Sequence, residues 1–451
     1  MVTSVFARIV PDPLVIAIAL TLLVFIAALW GGTYPEDVHG LGGRAAWLLD
    51  HWQSSQGLWK LLAFAMQMCL ILLGGHVLAE SPPVRRLLTW ISSLPRTPAA
   101  AAGLISLVAM ILGLLNWGLG LIGGAILARN AARSLASRGI EPRSGLLAAA
   151  GYTGLLVWHG GLSGSAPLSM TTIDGANKVL PSNMALQEVI TPLSDTIFAP
   201  TNLIITGGML CLVPILMMRL AGPARRGAPE PPTEDIEMDT PPIHTVPDFL
   251  NHTRLATTLL GLAILCGAIS STWSTGIDRI GLNTIIMYLL AIAILLHKSP
   301  ASFMEAAARA AAGCAGIIVQ FPLYAGIMGM MAVSGLAACI TDGLVATASP
   351  HTLEFFTMLS AGVVNFLVPS GGGQWAIQGP IALEAGQASG ISPGSMIMAI
   401  AYGDQLTNML QPFWALPLLA ITGVRARDIV GYTAIVMMVS GAWISVWLLL
   451  T

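Results

Sequence analysis

Charge is scarce in this sequence. Asp, Glu, Lys and Arg together supply 9% of its 451 residues, against roughly 25% in an ordinary soluble domain, so water cannot be the main solvent of the folded chain. The net charge of −2 by itself says nothing about partners, and nucleic acid is not among those expected. A phosphate-binding G-x-x-x-x-G-K-[ST] loop is missing, which excludes an ATP-driven pump encoded in this chain. Gly161-Leu162-Ser163-Gly164 lacks the G-x-S-x-G spacing of a nucleophile elbow, and the histidines lack metal-ligand companions. An enzyme is therefore not expected, and neither is a cofactor. Cysteine is rare too: Cys69, Cys211, Cys266, Cys314 and Cys339 form no C-x-x-C pair and read as packing residues in or beside apolar stretches. The two-residue alternation of a membrane β-strand is absent.

What the chain has instead is apolar length. Hydrophobic residues make up 55% of it, with runs at Leu14–Trp30, Leu58–Ala79, Leu203–Leu220, Leu255–Ile269, Ile285–Leu296, Gly313–Ile340 and Ile429–Leu450. Backbone polar groups in lipid must be satisfied within the segment, so these runs predict membrane-spanning helices. The first run follows Arg8 but has a long core and no clear small-residue cleavage site, and reads as a retained span.

Arginine orients the spans. Arg85, Arg86 and Arg96, then Arg129, Arg133, Arg138 and Arg143, then Arg219, Arg225 and Arg226 mark cytoplasmic loops, whereas 33–57, 171–196, 271–281 and 341–352 carry few or no Lys or Arg. Both flanks of 103–133 carry arginine, and neither flank of 353–387 does, so each of these stretches must return to the side it left. The count gives nine full spans, two re-entrant hairpins, an inside amino terminus and an outside carboxyl terminus. A stretch rich in Pro and acidic residues from 221 to 254 reads as a cytoplasmic linker too poor in apolar residues to fold alone.

The two halves match in order. Ala65-Met66-Gln67-Met68 corresponds to Ile318-Val319-Gln320-Phe321, Leu114-Leu115-Asn116-Trp117 to Val363-Val364-Asn365-Phe366, and Tyr152 precedes Pro167 by the interval at which Tyr402 precedes Pro417. Matched spans run in opposite directions by the arginine count, the inverted-repeat plan of secondary transporters. The expected fold is an all-α polytopic membrane protein of two inverted-topology repeats, each with a re-entrant helical hairpin and a broken transmembrane helix. The first repeat covers 1–220, with a hairpin about 99–137 and a broken helix about 145–170. The linker covers 221–254; a connecting span and the second repeat cover 255–451, with an outside hairpin about 353–390 and a broken helix about 394–422.

Polar and Gly-rich segments interrupt the apolar pattern at four places: 116–124, 159–167, 365–378 and 403–412. Irregular backbone at membrane depth is tolerated only where it lines a cavity or is buried in protein, and broken helices leave amino termini for an anion and free carbonyls for a cation. The expected substrate site comprises Asn116, Trp117, Gly118, Gly161, Ser163, Gly164, Ser165, Asn365, Ser370, Gly371, Gly372, Gly373, Gln374, Trp375 and Gln411. Gly118, Gly120, Gly123 and Gly124 equally suit helix packing, and the serines could bond a carbonyl one turn back. Asp404, Thr407, Asn408 and His159 are the candidates for ion coupling, with sodium expected at Asn116, Ser163, Asn365, Asp404 and Asn408 if the driving ion is not a proton. Asp404 could instead be a solvated helix-end residue, and His159 and His76 hydrogen-bonded core residues. Trp117, Trp375 and Trp414 either wall a small apolar pocket or simply pack.

Pro11-Asp12-Pro13-Leu14, Leu62-Ala63-Phe64-Ala65-Met66-Gln67-Met68, Asn116-Trp117-Gly118, Gly161-Leu162-Ser163-Gly164-Ser165, Val368-Pro369-Ser370-Gly371-Gly372-Gly373 and Gln411-Pro412-Phe413-Trp414-Ala415-Leu416-Pro417 closely resemble the bacterial short-chain fatty acid transporter family, within a broader ion-transporter superfamily. The resemblance runs nearly end to end and departs around Val157–Gly160 and at Asp404, where a carboxylate is kept. It implies uptake of short-chain monocarboxylates such as acetoacetate or butyrate by sodium or proton symport across the bacterial cytoplasmic (inner) membrane, in a homodimer moving by an elevator-like shift. A carrier of dicarboxylates or other small anions, an anion channel and a membrane enzyme are the alternatives.

Overall fold

The computed structural model describes residues 13–173, 175–176, 190–223, 245–276, 280, 282–336, 339, 348–367 and 371–450. Among them the regular structure is helical. The first half runs α1 (Pro13–Gly31), α2 (Gly40–Gln53), α3 (Leu62–Glu80), α4 (Pro82–Ser93), α5 (Pro98–Leu115), α6 (Trp117–Ala136), α7 (Ser144–Tyr152), α8 (Ser165–Ser169) and α9 (Pro200–Leu220). After α10 (Val246–His252), α11 (Arg254–Thr275) and α12 (Leu282–Leu296), the second half continues with α13 (Pro300–Val333), α14 (Leu353–Leu367), α15 (Gly371–Ser389), α16 (Pro393–Thr407), α17 (Pro412–Thr422) and α18 (Ala426–Leu450).

Five described helices, α5, α9, α11, α13 and α18, are long and apolar enough to cross a bilayer. Their outer faces are apolar as well: Leu203, Leu255, Leu259 and Met438 are all exposed, as lipid contact requires and water would penalise. Three short segments depart from the loops expected between spans. α2 lies inside the stretch 33–57, where Trp52 packs against the backbone of Gly326 on α13. α4 carries Arg85 and Arg86, exposes Leu87 and Trp90, and buries Leu88, the two-faced pattern of a helix lying in the membrane interface. α10 is a seven-residue helix within the expected linker, closed by a capping box between Thr245 and Asp248; most of that linker, 224–244, lies outside the described residues.

α5 and α6 form an antiparallel hairpin that turns at Asn116. Its arms touch backbone to backbone: a Cβ on Gly120 would stand 2.6 Å from the Gly113 Cα, so only glycine permits the approach. α14 and α15 form the second hairpin, held by the Gln374 amide donating to the Ala361 carbonyl at 2.7 Å and the Gln378 amide donating to the Ser360 hydroxyl at 3.1 Å. Each hairpin is followed by an interrupted helix. In the first, α7 tightens into 3-10 turns at Thr153–Leu156 and Trp158–Gly160 and restarts as α8; in the second, α16 passes through a 3-10 turn at Asn408–Leu410 and restarts as α17. The order hairpin, then broken helix, thus occurs twice. α3 and α13, which carry the matched Gln67 and Gln320, pack against each other beside the hairpins. The cysteines are all free; Cys314 Sγ donates to the Cys69 carbonyl at 3.7 Å across that α3–α13 contact.

Candidate functional site

Asn116 ends α5 and starts α6 in extended conformation, its Oδ1 accepting the Leu119 N–H at 2.9 Å. That bond satisfies one of the orphan donors of the helix start. A second is taken across the fold: the Trp117 N–H donates to Ser163 Oγ at 2.9 Å. The Leu162 N–H donates to the Leu114 carbonyl at 2.7 Å. The tip of the first hairpin is therefore sewn onto the break of the first interrupted helix. Gly118 lies where a Cβ would stand 2.9 Å from the Ile71 carbonyl oxygen and lets α6 meet α3, whereas Gly120 and Gly123 face α5 and Gly124 faces α7. Gly161 and Gly164 let the break fold against Leu114 and the His159 carbonyl.

His159 joins the two halves. The Ala166 N–H donates to His159 Nε2 at 3.1 Å, so that nitrogen carries the lone pair and the proton sits on Nδ1. His159 Nδ1–H then donates to Asp404 Oδ1 at 3.2 Å, with Ser165 Oγ 3.3 Å from Nε2. Both side chains are buried, which rules out the reading of Asp404 as a solvated helix-end residue. Gly371, the first residue of α15, abuts the same place: a Cβ there would lie 2.6 Å from Ser165 Oγ and 2.8 Å from His159 Cε1. The second hairpin thus also reaches the first break.

At the second break, Asn365 Nδ2 lies within bonding distance of three acceptors: the Asp404 carbonyl at 2.8 Å, Thr407 Oγ1 at 2.9 Å and Asn408 Oδ1 at 3.1 Å. Gln411 Nε2 donates to the Asn365 carbonyl at 2.9 Å. The Tyr152 hydroxyl, from the other half, is 2.9 Å from the carbonyls of both Asn408 and Gln411. Tyr402 makes the reverse crossing, donating to Asn202 Oδ1 at 3.1 Å, while Asn202 Nδ2 donates to the Gly160 carbonyl at 3.0 Å.

Several buried polar atoms keep no protein partner among the described residues. Asn116 Nδ2, Trp117 Nε1 and Trp158 Nε1 are donors at the first break; Asn365 Oδ1, Asp404 Oδ2 and Gln411 Oε1 are acceptors at the second. Gln405 Nε2 adds a donor beside Gly160, whose N–H donates to Gln405 Oε1 at 3.3 Å, and α15 carries one of each kind, Gln374 Oε1 and Trp375 Nε1. Buried polar groups demand hydrogen-bond partners, and those at the two breaks suit an anion next to a cation.

A narrow recess opens at the donor side, walled by Met68, Trp117, Leu155, Trp158, Phe321 and Trp414 and bordered by Gly371 and Asn408. The Trp117 and Trp414 rings meet edge to face at 5.3 Å, and Trp158 stacks on His159 at 4.4 Å. A second hollow lies behind the second break beside Tyr152, Gln411 and Arg427; it is separate from the unmet donors and is not the candidate site.

Most expected site residues gather here, but not all in one shell. Asn116 and Ser163 oxygens already accept α6 amides, and Asn408 Oδ1 accepts from Asn365, so the five expected sodium ligands divide between the two breaks. Gly372 and Gly373 are buried in the first turn of α15, and Gln374 braces the hairpin. Trp375 packs in a separate apolar cluster with Ala166, Met170 and Ile400 and does not line the recess. Ser370 lies outside the described residues. His76 is remote, bonded to Glu80 at 2.9 Å in a triad completed by Arg309 at 2.6 Å. Sequence reasoning missed Asn202, Gln405, Trp158 and Phe321. Asn202 could have been flagged as an amide near the start of an apolar helix; the other three carry no signal until the helices are assembled.

The short chain fatty acid transporter family model matches residues 1–451. A protein of Escherichia coli (strain K12) named for short-chain fatty acid transport is 38% identical over 445 residues, 97% of this chain and 96% of its own. One of Haemophilus influenzae (strain ATCC 51907 / DSM 11121 / KW20 / Rd) with the same name is 36% identical over 443 residues, 95% of this chain and 94% of its own. Among solved structures, the Alcanivorax borkumensis YdaH transporter, reported to have an unusual topology, aligns with a TM-score of 0.50 at 16% identity, covering 97% of this chain and 98% of that one, a likeness of fold alone. With a match along its whole length and two relatives covered nearly end to end, this multi-pass membrane chain belongs to the short-chain fatty acid transporter family.

Proposed function

We propose that the protein takes up short-chain monocarboxylates, such as butyrate or acetoacetate, by cation symport across the bacterial cytoplasmic membrane. Membership of a transporter family sets enzymatic chemistry aside; the substrate and the coupling are our reading. The observation that carries it is the sorting of unmet buried atoms into donors at the first break and acceptors at the second. No Lys or Arg lines the adjoining recess, so an incoming carboxylate is compensated by donors and a co-transported cation and not by a fixed charge. The carboxylate would face Asn116, Trp117, Trp158 and the start of α15, where Gly371 leaves backbone room. The cation, as cargo, would face Asp404, Asn365 and Gln411; these three oxygens suit sodium, and the Asp404 carboxylate with its His159 partner suits a proton.

The inverted orientation of the repeats, supported by the arginine pattern and the twofold order of hairpin and broken helix, belongs to the same proposal, as do the homodimer and elevator-like movement that the family resemblance implies. The test is accumulation of labelled butyrate and acetoacetate in proteoliposomes under an imposed sodium or proton gradient. Accumulation driven by one of them is expected; uptake indifferent to both would overturn symport. Cysteine labelling should reach positions near Arg133 from the cytoplasm and Gln387 from outside. Labelling of Leu353 and Gln387 from opposite sides would dismantle the hairpin orientation.

A further inference from the structure

The recess beside the first break is lined mostly by apolar and aromatic side chains, with Asn408 the one amide and no charged group in its lining. Two of the aromatics, Trp117 and Trp158, carry buried indole N–H groups without a partner among the described residues. Met68 and Phe321, contributed by α3 and α13, add apolar surface. A small acid with one polar head and an apolar tail suits such a lining.

One wall is shared: a neighbouring recess lined by Leu72, Leu121, Ile317 and Pro417 has Trp117 and Trp414 in common with the first. The edge-to-face Trp117–Trp414 pair at 5.3 Å is therefore the partition between two apolar spaces, and Phe321 braces it, its ring meeting Trp414 at 6.5 Å, again edge to face. Trp414 sits in the first turn of α17, directly after the second break, so the helix that ends the acceptor cluster also closes the acyl space.

Resting on the transport reading above, we infer that this recess holds the substrate's acyl chain and that the Trp414 indole, braced by Phe321, is the residue that limits chain length. The inference also sets the substrate class apart from dicarboxylates: a second carboxylate at the tail would face Met68 and Phe321 with nothing to replace its hydration, a loss no apolar wall repays.

The experiment uses the purified full-length protein in proteoliposomes, with labelled butyrate and hexanoate as probes and succinate as competitor. Trp414→Ala joins the two spaces, and the ratio of hexanoate to butyrate uptake should rise by about tenfold or more, the scale on which apolar pockets distinguish chain length. Phe321→Ala should move the ratio in the same direction by less, because it loosens the partition without removing it. Trp414→Leu, which keeps an apolar side chain of intermediate size, carries the same test if the alanine variant does not yield folded protein. In the wild type, unlabelled succinate should not compete with butyrate. A ratio unmoved in the Trp414 variants while butyrate uptake persists, or competition by succinate equal to that by butyrate, overturns this inference and leaves the transport reading standing. Wild-type protein that carries no monocarboxylate at all overturns both.

Discussion

At the first break the amide of Asn116 stays at home, capping the helix that follows it, and a serine from the interrupted helix takes the next free N–H. At the second break the matched amide of Asn365 reaches away from its own hairpin, binding the carbonyl of Asp404 and the side chains of Thr407 and Asn408. The first break is thus locked by local capping plus two bonds between hairpin tip and break, Trp117 N–H to Ser163 and Leu162 N–H to the Leu114 carbonyl, and the second by a side-chain knot between hairpin and broken helix. The tyrosines cross over: Tyr152 of the first half bonds carbonyls of the second break directly, whereas Tyr402 of the second reaches the first only through Asn202. The two halves carry matching residue types in the same order, and different neighbours leave unmet donors at one break and unmet acceptors at the other. What this teaches is that a repeat supplies positions, and that the roles are assigned by what crosses over to meet them.

The comparison breaks most readily at Asp404. Asp404→Asn removes the only buried carboxylate of the acceptor half while keeping its shape, and gradient-driven accumulation of butyrate should vanish while substrate exchange persists. Accumulation equal to wild type at equal expression would move coupling elsewhere. His159→Gln tests the link between the halves and should lower accumulation without abolishing it, because the amide still donates towards Asp404.

The two asparagines should separate next. Asn365→Ala leaves the second break without its knot and should cost about 2–3 kcal/mol, more than one buried hydrogen bond, together with most of the transport. Asn116→Ala removes a cap worth about 1 kcal/mol and should reduce uptake less. Thermal unfolding of both purified variants, read beside initial uptake rates, decides the order; equal losses would refute the asymmetry.

The smallest effects are expected at the tyrosines. Tyr152→Phe strips the Gln411 carbonyl of its hydroxyl partner while the Asn408 carbonyl keeps the Gln411 N–H, and should destabilise by about 1–3 kcal/mol, whereas Tyr402→Phe leaves Asn202 still bonded to Gly160, Ile197 and Thr206 and should cost about 0.5–1.5 kcal/mol. A Tyr402→Phe variant less stable than Tyr152→Phe would reverse this ranking and show that the indirect link carries more than the direct one.

Solvent and helix length were decided by the sequence alone, because they follow from composition and from local chemistry. Nine per cent charge and long apolar runs leave lipid as the environment, and backbone in lipid must close its own hydrogen bonds. The interruptions are equally local: Asn116, the glycines at 160, 161 and 164 and Pro412 act on the residues beside them, and α6 and α17 start beside Asn116 and at Pro412. The partners were not legible. His159 and Asp404 stand 245 residues apart, and no period or spacing relates them; Trp158 becomes a wall and Trp375 a core residue only because one helix break faces the recess and α15 turns its tryptophan away from it. Pairing of this kind depends on which helix faces approach in three dimensions, a property of packing that a linear pattern does not encode, and so the tertiary structure alone decided which polar atoms found partners within the chain and which did not.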